Sequence, residues 1–244
     1  MEYGLGREVP GDFRHVEKYP LSSVVKVEAV SVEHKIKNPY PAFLFNQGEE
    51  GACVGFGCSR IMSFLNHELY DPWWLWNRAK ETDEWADTNP GDDNGTSVRA
   101  ALEILRTLGH KDVSLPAPIL GAGIESYHWA TNIDEMRGVI ALGVPIVIGI
   151  NWYSNFDQPI KSEADEYWIG LGDLGHIRGG HCVVLHGASD KRQAFRMLNS
   201  WGKSYPPVWL PYDVMDQLRQ EDGEVGVVVD LPGDPDPGDY IYIK

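Results

Sequence analysis

The chain reads as an α+β protein in which a helical part precedes a β-rich part. Three observations point there. Between residues 53 and 108, two segments place apolar residues three and four apart, the period of a helix with one buried face. From Val144 onward, short apolar and β-branched runs replace that period, as expected of buried strands. The change falls at Pro116 and Pro118, residues that interrupt both kinds of element.

The elements follow in order. Residues 1 to 40 are mixed in character; Val24 to Val32 alternates like a strand until Pro39-Tyr40-Pro41 breaks it. From Cys53 to Leu69, the residues Val54, Cys58, Ile61, Met62, Leu65 and Leu69 form one helical face, and Asp71-Pro72 is expected to end it. Thr88 to Gly95, containing Asn89-Pro90-Gly91-Asp92-Asp93-Asn94, is a polar loop. Thr96 or Ser97 is placed to cap a second helix carrying Val98, Leu102, Leu105 and Leu108, with Gly109 as its stop. A short helix over Asp134 to Leu142 leads into a buried strand, Val144 to Ile150. Further strands are expected at His181–His186, Ala194–Leu198, Glu224–Asp230 and Tyr240–Ile243, with one more helix at Tyr212–Leu218. The acidic tail Asp234-Pro235-Asp236-Pro237-Gly238-Asp239 reads as a rigid turn. The expected division is an extension over 1–41, a helical part over 42–115 and a β-rich part over 116–244.

Bulk properties narrow the function. The 244 residues suffice for one sizeable core or two modest lobes. The formal net charge of −15 repels nucleic acid and anionic membranes, so neither is an expected partner. No apolar run approaches the roughly 20 residues of a membrane span, and the N-terminus lacks a basic region followed by an apolar stretch. Three cysteines do not make a fully paired framework. The expectation is a reducing, cytoplasmic compartment.

One stretch carries most of the chemical signal: Asn46-Gln47-Gly48-Glu49-Glu50-Gly51-Ala52-Cys53-Val54-Gly55-Phe56. Cys53 opens a helix, where unpaired backbone N–H groups and the positive end of the helix dipole favour thiolate. Cys58, on the apolar stripe, reads as packing. Among eight histidines, His67, His110 and His128 have solvated or structural contexts. His181 differs, because Gly179-Gly180 before it permits close approach of another backbone. Asn199, in Leu198-Asn199-Ser200-Trp201-Gly202, offers an amide oxygen that accepts an imidazole N–H and fixes the ring. Trp201 is placed to cover that bond. Taken singly, each residue also suits a structural role; together they supply nucleophile, base and orienter. Cys53, His181 and Cys182 lack the paired spacing of a zinc site, so no metal or cofactor is expected.

Order and spacing of these motifs resemble the papain-like cysteine peptidases. In that family His and Asn follow the nucleophile by roughly 130 to 150 residues, as His181 and Asn199 follow Cys53 here. The stretch Gln-Gly-x-x-Gly-Ala-Cys-Val-Gly-Phe is similar to bacterial and phage members. The resemblance runs from about residue 42 to about residue 215. It implies a helical left lobe and a β-rich, barrel-like right lobe with the active-site cleft between them. It implies Cys53 as nucleophile, His181 as base and acid, and Asn199 as its orienter. Gln47 and the Cys53 backbone N–H would form the oxyanion hole. Gly95 would line the cleft where substrate backbone pairs, and Trp201 would shield the Asn199 contact. The implied partner is a peptide or protein substrate. A cell-wall peptide amidase or endopeptidase with the same parts, and a catalytically silent binding protein, are the alternatives.

This chain also departs from the pattern. Glu50 stands where many members have cysteine, and Val54 where they have an aromatic. Cys182 follows the base where a small residue is usual, so it either lines the specificity pocket or pairs or competes with Cys53. The extension is too short for a typical inhibitory propeptide; it is expected to add a strand to the right lobe or to block the cleft in part.

Overall fold

The structure is a computed structural model that describes residues 3–12, 14–27, 31–40, 44–86, 95–113, 120–229 and 241–243. The expected turn at 234–239 and most of the expected loop at 88–95 lie outside the described residues. Among the described residues, six helices run in chain order: α1 (Arg14–Lys18), α2 (Cys53–Asn66), α3 (Pro72–Lys80), α4 (Val98–Thr107), α5 (Ile133–Ala141) and α6 (Tyr212–Gln220). Strands β1 (Val25–Val27), β2 (Glu33–Lys35), β3 (His110–Lys111), β4 (Leu120–Ala122) and β5 (Ser126–Trp129) precede the main β-rich region. There follow β6 (Ile146–Tyr153), β7 (Ile160–Lys161), β8 (Tyr167–Trp168), β9 (Ile177–Ser189), β10 (Ala194–Leu198), β11 (Val208–Pro211), β12 (Glu224–Val229) and β13 (Ile241–Ile243).

Nine of these strands make one sheet in the order β5-β12-β6-β9-β10-β11-β8-β7, with β2 also pairing to β9. The sheet is open from β5 to β7 and does not close on itself. This corrects the barrel-like expectation. Closure requires the first and last strands to pair at a fixed stagger, and the two-residue strands β7 and β8 instead end the sheet as a short edge.

Alternation along the central strands sorts side chains between two cores. Ile146, Ile148 and Ile150 of β6, Val183 and Leu185 of β9, and Val225 and Val227 of β12 enter one cluster, with Met136, Val139 and Ile140 of α5 and Met215 and Leu218 of α6. Val147, Cys182, Val184 and Val228 enter the other, with Val54, Cys58, Ile61 and Met62 of α2 and Val98, Leu102 and Leu105 of α4. The helical lobe therefore rests on one sheet face, and the other face holds the remaining core.

Asp71-Pro72 is a start signal here and not the expected stop, because α2 has already ended at Asn66. After α2 ends at His67, which takes a left-handed φ of 56°, the Asp71 carboxylate accepts from the Trp73 and Trp74 N–H groups, and Pro72 opens α3. Proline at the first helical position loses no hydrogen bond, because that N–H is unpaired in any helix. The second helix behaves as its cap predicts: Ser97 Oγ accepts from Ala100 N–H at 3.1 Å, and Gly109 turns the chain with φ 79°.

Asp71 also accepts from Lys111 Nζ at 2.8 Å, tying α3 to β3. Replacing it with alanine removes both the cap and the ion pair. Asp71→Ala is expected to lower stability by about 1 to 2 kcal/mol, read as a shifted urea midpoint with unchanged slope.

Candidate active site

Cys53 is the first residue of α2 and is fully buried. Close packing of α2 on β9 sets its position. A Cβ on Gly57, one turn along the helix, would lie 2.6 Å from Cys182 Sγ, so glycine is what lets the helix reach the strand. Cys182 sits at this contact within the helical-lobe core, and all three cysteines are free.

His181 belongs to β9 and pairs in register with Ile150 of β6. Its Nε2 is 2.9 Å from Asn199 Oδ1, just beyond the end of β10. The same oxygen accepts from Ser200 N–H at 2.7 Å, so the Asn199 side chain is held from two directions. Trp201 lies 4.9 Å from the His181 ring and Trp152 4.7 Å, the latter edge-on. Both indoles are buried, and they keep water from the His181–Asn199 bond.

Gln47 is anchored to the same segment. Its backbone N–H donates to Ser200 O at 2.9 Å, and its Oε1 accepts from Ser200 Oγ at 2.7 Å. The amide nitrogen thus points the other way, and what it meets is the chain's own N-terminus: Nε2 donates to Gly4 O at 3.2 Å and to Glu50 O at 2.8 Å.

Residues Tyr3 to Glu8 lie across the site as a strap. Tyr3 stacks on Trp201 at 4.4 Å with planes 6° apart. Gly4 N–H donates to Gly48 O, and Arg7 N–H donates to Gly180 O at 3.0 Å. Thr96 N–H donates to Gly6 O, and Glu8 N–H to Thr96 O, each at 2.9 Å. The fit admits no side chain at two positions. A Cβ on Gly4 would stand 2.0 Å from Glu50 O, and one on Gly6 would stand 1.8 Å from Gly51 O. From the other wall, a Cβ on Gly95 would meet Gly6 O at 2.0 Å.

Burial dominates the electrostatics of the site. Burial pushes the Cys53 thiol well above its usual range and the Cys182 thiol adds to that, while the N–H groups of Cys182, Gly6 and Val54 pull the other way. Burial likewise lowers His181 to about 4, against the opposing bond to Asn199. Burial thus favours the uncharged form of both groups in this arrangement. Excluding water opposes the thiolate that the N–H groups at the helix start favour. No hydrogen bond joins the two: His181 Nδ1 is buried without a partner among the described residues. The sulfur is nonetheless within reach of the Cys182 N–H, one residue from His181.

Gln47, Cys53, Gly95 and Trp201 thus meet the strap directly, His181 joins this group through Trp201 and Asn199, and Cys182 packs against Gly57. Sequence reasoning missed Ser200 as the anchor of Gln47, Trp152 as a second cover, and Arg7 and Glu224, which meet in the same cleft. The spacing Gly4-x-Gly6 was the available signal for the strap. Among the described residues, no helix is long and apolar enough to cross a membrane.

No protein-family model matches the chain, and no curated protein sequence does. Solved structures do. Xylellain, a cysteine protease from Xylella fastidiosa, superposes with a TM-score of 0.71 at 18% identity, covering 94% of this chain and 96% of that one. Procathepsin L2 proteinase from the larval midgut of Tenebrio molitor gives 0.61 at 15% identity, over 93% and 78%. Procathepsin B from Trypanosoma congolense gives 0.61 at 10% identity, over 92% and 86%. The chain has the two-lobe fold of papain-like cysteine proteases.

The tight passage of Gly6 yields a test of the strap. Gly6→Ala cannot be seated beside Gly51 without moving backbone, so the variant is expected to release residues 3–8 and rehydrate Cys53. Alkylation of Cys53 by iodoacetamide at pH 7, followed by peptide mass mapping, should accelerate at least about tenfold.

Proposed function

We propose that this protein is a cysteine peptidase that hydrolyses peptide bonds through Cys53, His181 and Asn199, with Gln47 and the Cys53 backbone N–H as oxyanion donors. The reading is carried by one observation. A peptide backbone already lies over the candidate nucleophile, its Gly4 carbonyl on Gln47 Nε2 and its Gly6 N–H at the Cys53 sulfur. A site that holds main chain in this way is built to receive a polypeptide.

The chemistry follows once the strap leaves and water enters. Desolvation no longer opposes the thiolate, and the N–H groups at the start of α2 favour it. His181 takes the Cys53 proton, with its ring oriented by Asn199. The sulfur attacks the scissile carbonyl carbon, and charge gathers on the carbonyl oxygen beside Gln47 Nε2. Collapse of that intermediate breaks the C–N bond, with the His181 proton passing to the departing amine. Water, deprotonated by His181, then attacks the thioester, and the sulfur leaves with the acid product formed. Trp152 and Trp201 keep the His181–Asn199 bond dry, which strengthens it.

Cys53→Ala is expected to abolish hydrolysis of casein and of a mixed peptide library while leaving the circular dichroism spectrum unchanged; activity equal to the parent would overturn the assignment. Gln47→Ala should lower kcat by about 10²- to 10³-fold, the usual cost of one oxyanion donor. Asn199→Ala should cost less than the loss of Cys53. A loss as complete, accompanied by a lowered melting temperature, would mark Asn199 as a folding residue instead.

A further inference from the structure

One buried cation joins three of the segments that form the site. Arg60 lies on α2, two turns after Cys53, and is 2% exposed. Its Nη1 donates to the Asn199 backbone carbonyl at 2.9 Å, and its guanidinium lies over the Phe45 ring at 4.2 Å. Phe45 and Asn199 belong to paired segments. Phe45 O accepts from Gly202 N–H at 3.1 Å, Asn46 bridges Trp201, and Gln47 N–H donates to Ser200 O at 2.9 Å. A single side chain on the helix that opens at Cys53 therefore touches both the segment that carries Gln47 and the turn that carries Asn199.

Stability alone does not account for this arginine. A buried charge is costly unless it is paired and hydrogen-bonded. Among the described residues Arg60 has no carboxylate partner, and its Nε and Nη2 are buried without an acceptor. Burial lowers the guanidinium to about 9. Its compensation is one carbonyl and one aromatic face, the latter a favourable partner for a desolvated cation. An apolar side chain of similar length fills such a space without the desolvation penalty, but it offers no donor to Asn199 O. That donor acts on the residue that orients the base. The main chain held by Arg60 is the one from which Asn199 Oδ1 reaches His181 Nε2 at 2.9 Å. Ser200 N–H fixes the Oδ1 end of that side chain, and Arg60 fixes the backbone behind it.

We infer that Arg60 is a positioning residue for the reaction, acting through the Asn199 backbone carbonyl to hold the His181 ring in line with Cys53. This rests on the peptidase reading above. Arginine suits the junction, because its flat face covers Phe45 while an in-plane N–H meets the carbonyl. A lysine ammonium has no such face and edge. Arg60 is too buried to touch substrate, so its effect falls on the chemical step and not on substrate binding.

The test compares Arg60→Met with the parent full chain. On fluorescein-labelled casein, with Cys53→Ala as the blank, kcat should fall about tenfold or more while KM stays unchanged. The melting temperature should remain within about 4 °C of the parent, since removal of the unpaired charge offsets the lost hydrogen bond. A double-mutant cycle shows the route: after Asn199→Ala, the Arg60 change should cost less than about twofold in kcat. If Arg60→Met does not fold, Arg60→Lys takes its place with the same expectations. An unchanged kcat, or an equal loss with and without the Asn199 side chain, overturns the inference and leaves the peptidase reading intact. A second readout needs no turnover. The buried His181 Nε2–H gives a slowly exchanging proton resonance in isotope-labelled protein, identified by its loss in Asn199→Ala. If the parent shows no Cys53-dependent hydrolysis, the peptidase reading fails and this resonance decides alone. Its loss in the Arg60 variant supports the positioning of His181, and its persistence sinks that as well.

Discussion

The close approach of α2 to β9 is the constraint on which the site depends. At Gly57 the helix has no side chain, and Cys182 Sγ occupies the space a Cβ would need. That contact fixes the start of the helix, and so Cys53, beside the strand that carries His181. Strand β9 in turn is hydrogen-bonded to β6 on one side and to β10 on the other. The chain leaving β10 places Asn199 under the imidazole and Ser200 against Gln47. Helix, sheet and loop are thereby set relative to one another by backbone pairing and one missing methyl group.

The second organising feature is the covering of this site by the chain's own beginning. Backbone hydrogen bonds attach Tyr3 to Glu8 to both walls, at Gly48, Thr96 and Gly180. Those bonds require extended main chain without bulk, which Gly4 and Gly6 supply. Covering the site also removes the solvent that a thiolate and an imidazolium need. Geometry and protonation state are therefore coupled: the residues are assembled, and the burial that comes with assembly opposes charge on both Cys53 and His181. Arg7 and Glu224 face the opposite situation, since each is a buried charge whose cost the other offsets.

Much of this was legible in the chain as written. Periodicity located α2 and α4, and the signals at Ser97 and Gly109 marked the limits of α4, because helix ends are decided by residues within one turn. Short apolar and β-branched runs located β6, β9, β10 and β12 for a similar reason. The reading faltered where local signals carry two meanings. Asp71-Pro72 reads equally as the stop of one helix or the start of another; α2 ends before it, at Asn66, and Asp71-Pro72 opens α3, which buries Leu75, Trp76 and Ala79. Sheet closure was equally out of reach, since it depends on the stagger of strands far apart in sequence.

The sequence by itself determined the residue types and the order of the chemical groups: a cysteine opening a helix, a glutamine before it, a histidine and an asparagine far beyond. Those are local properties, set by short-range periodicity and by motif. What only the tertiary structure decided is what lies in the cleft. Gly4 reaches Gln47 across 43 residues and Arg7 reaches Glu224 across 217. No local pattern encodes such a meeting, because it arises only when folding closes the whole intervening polypeptide around it.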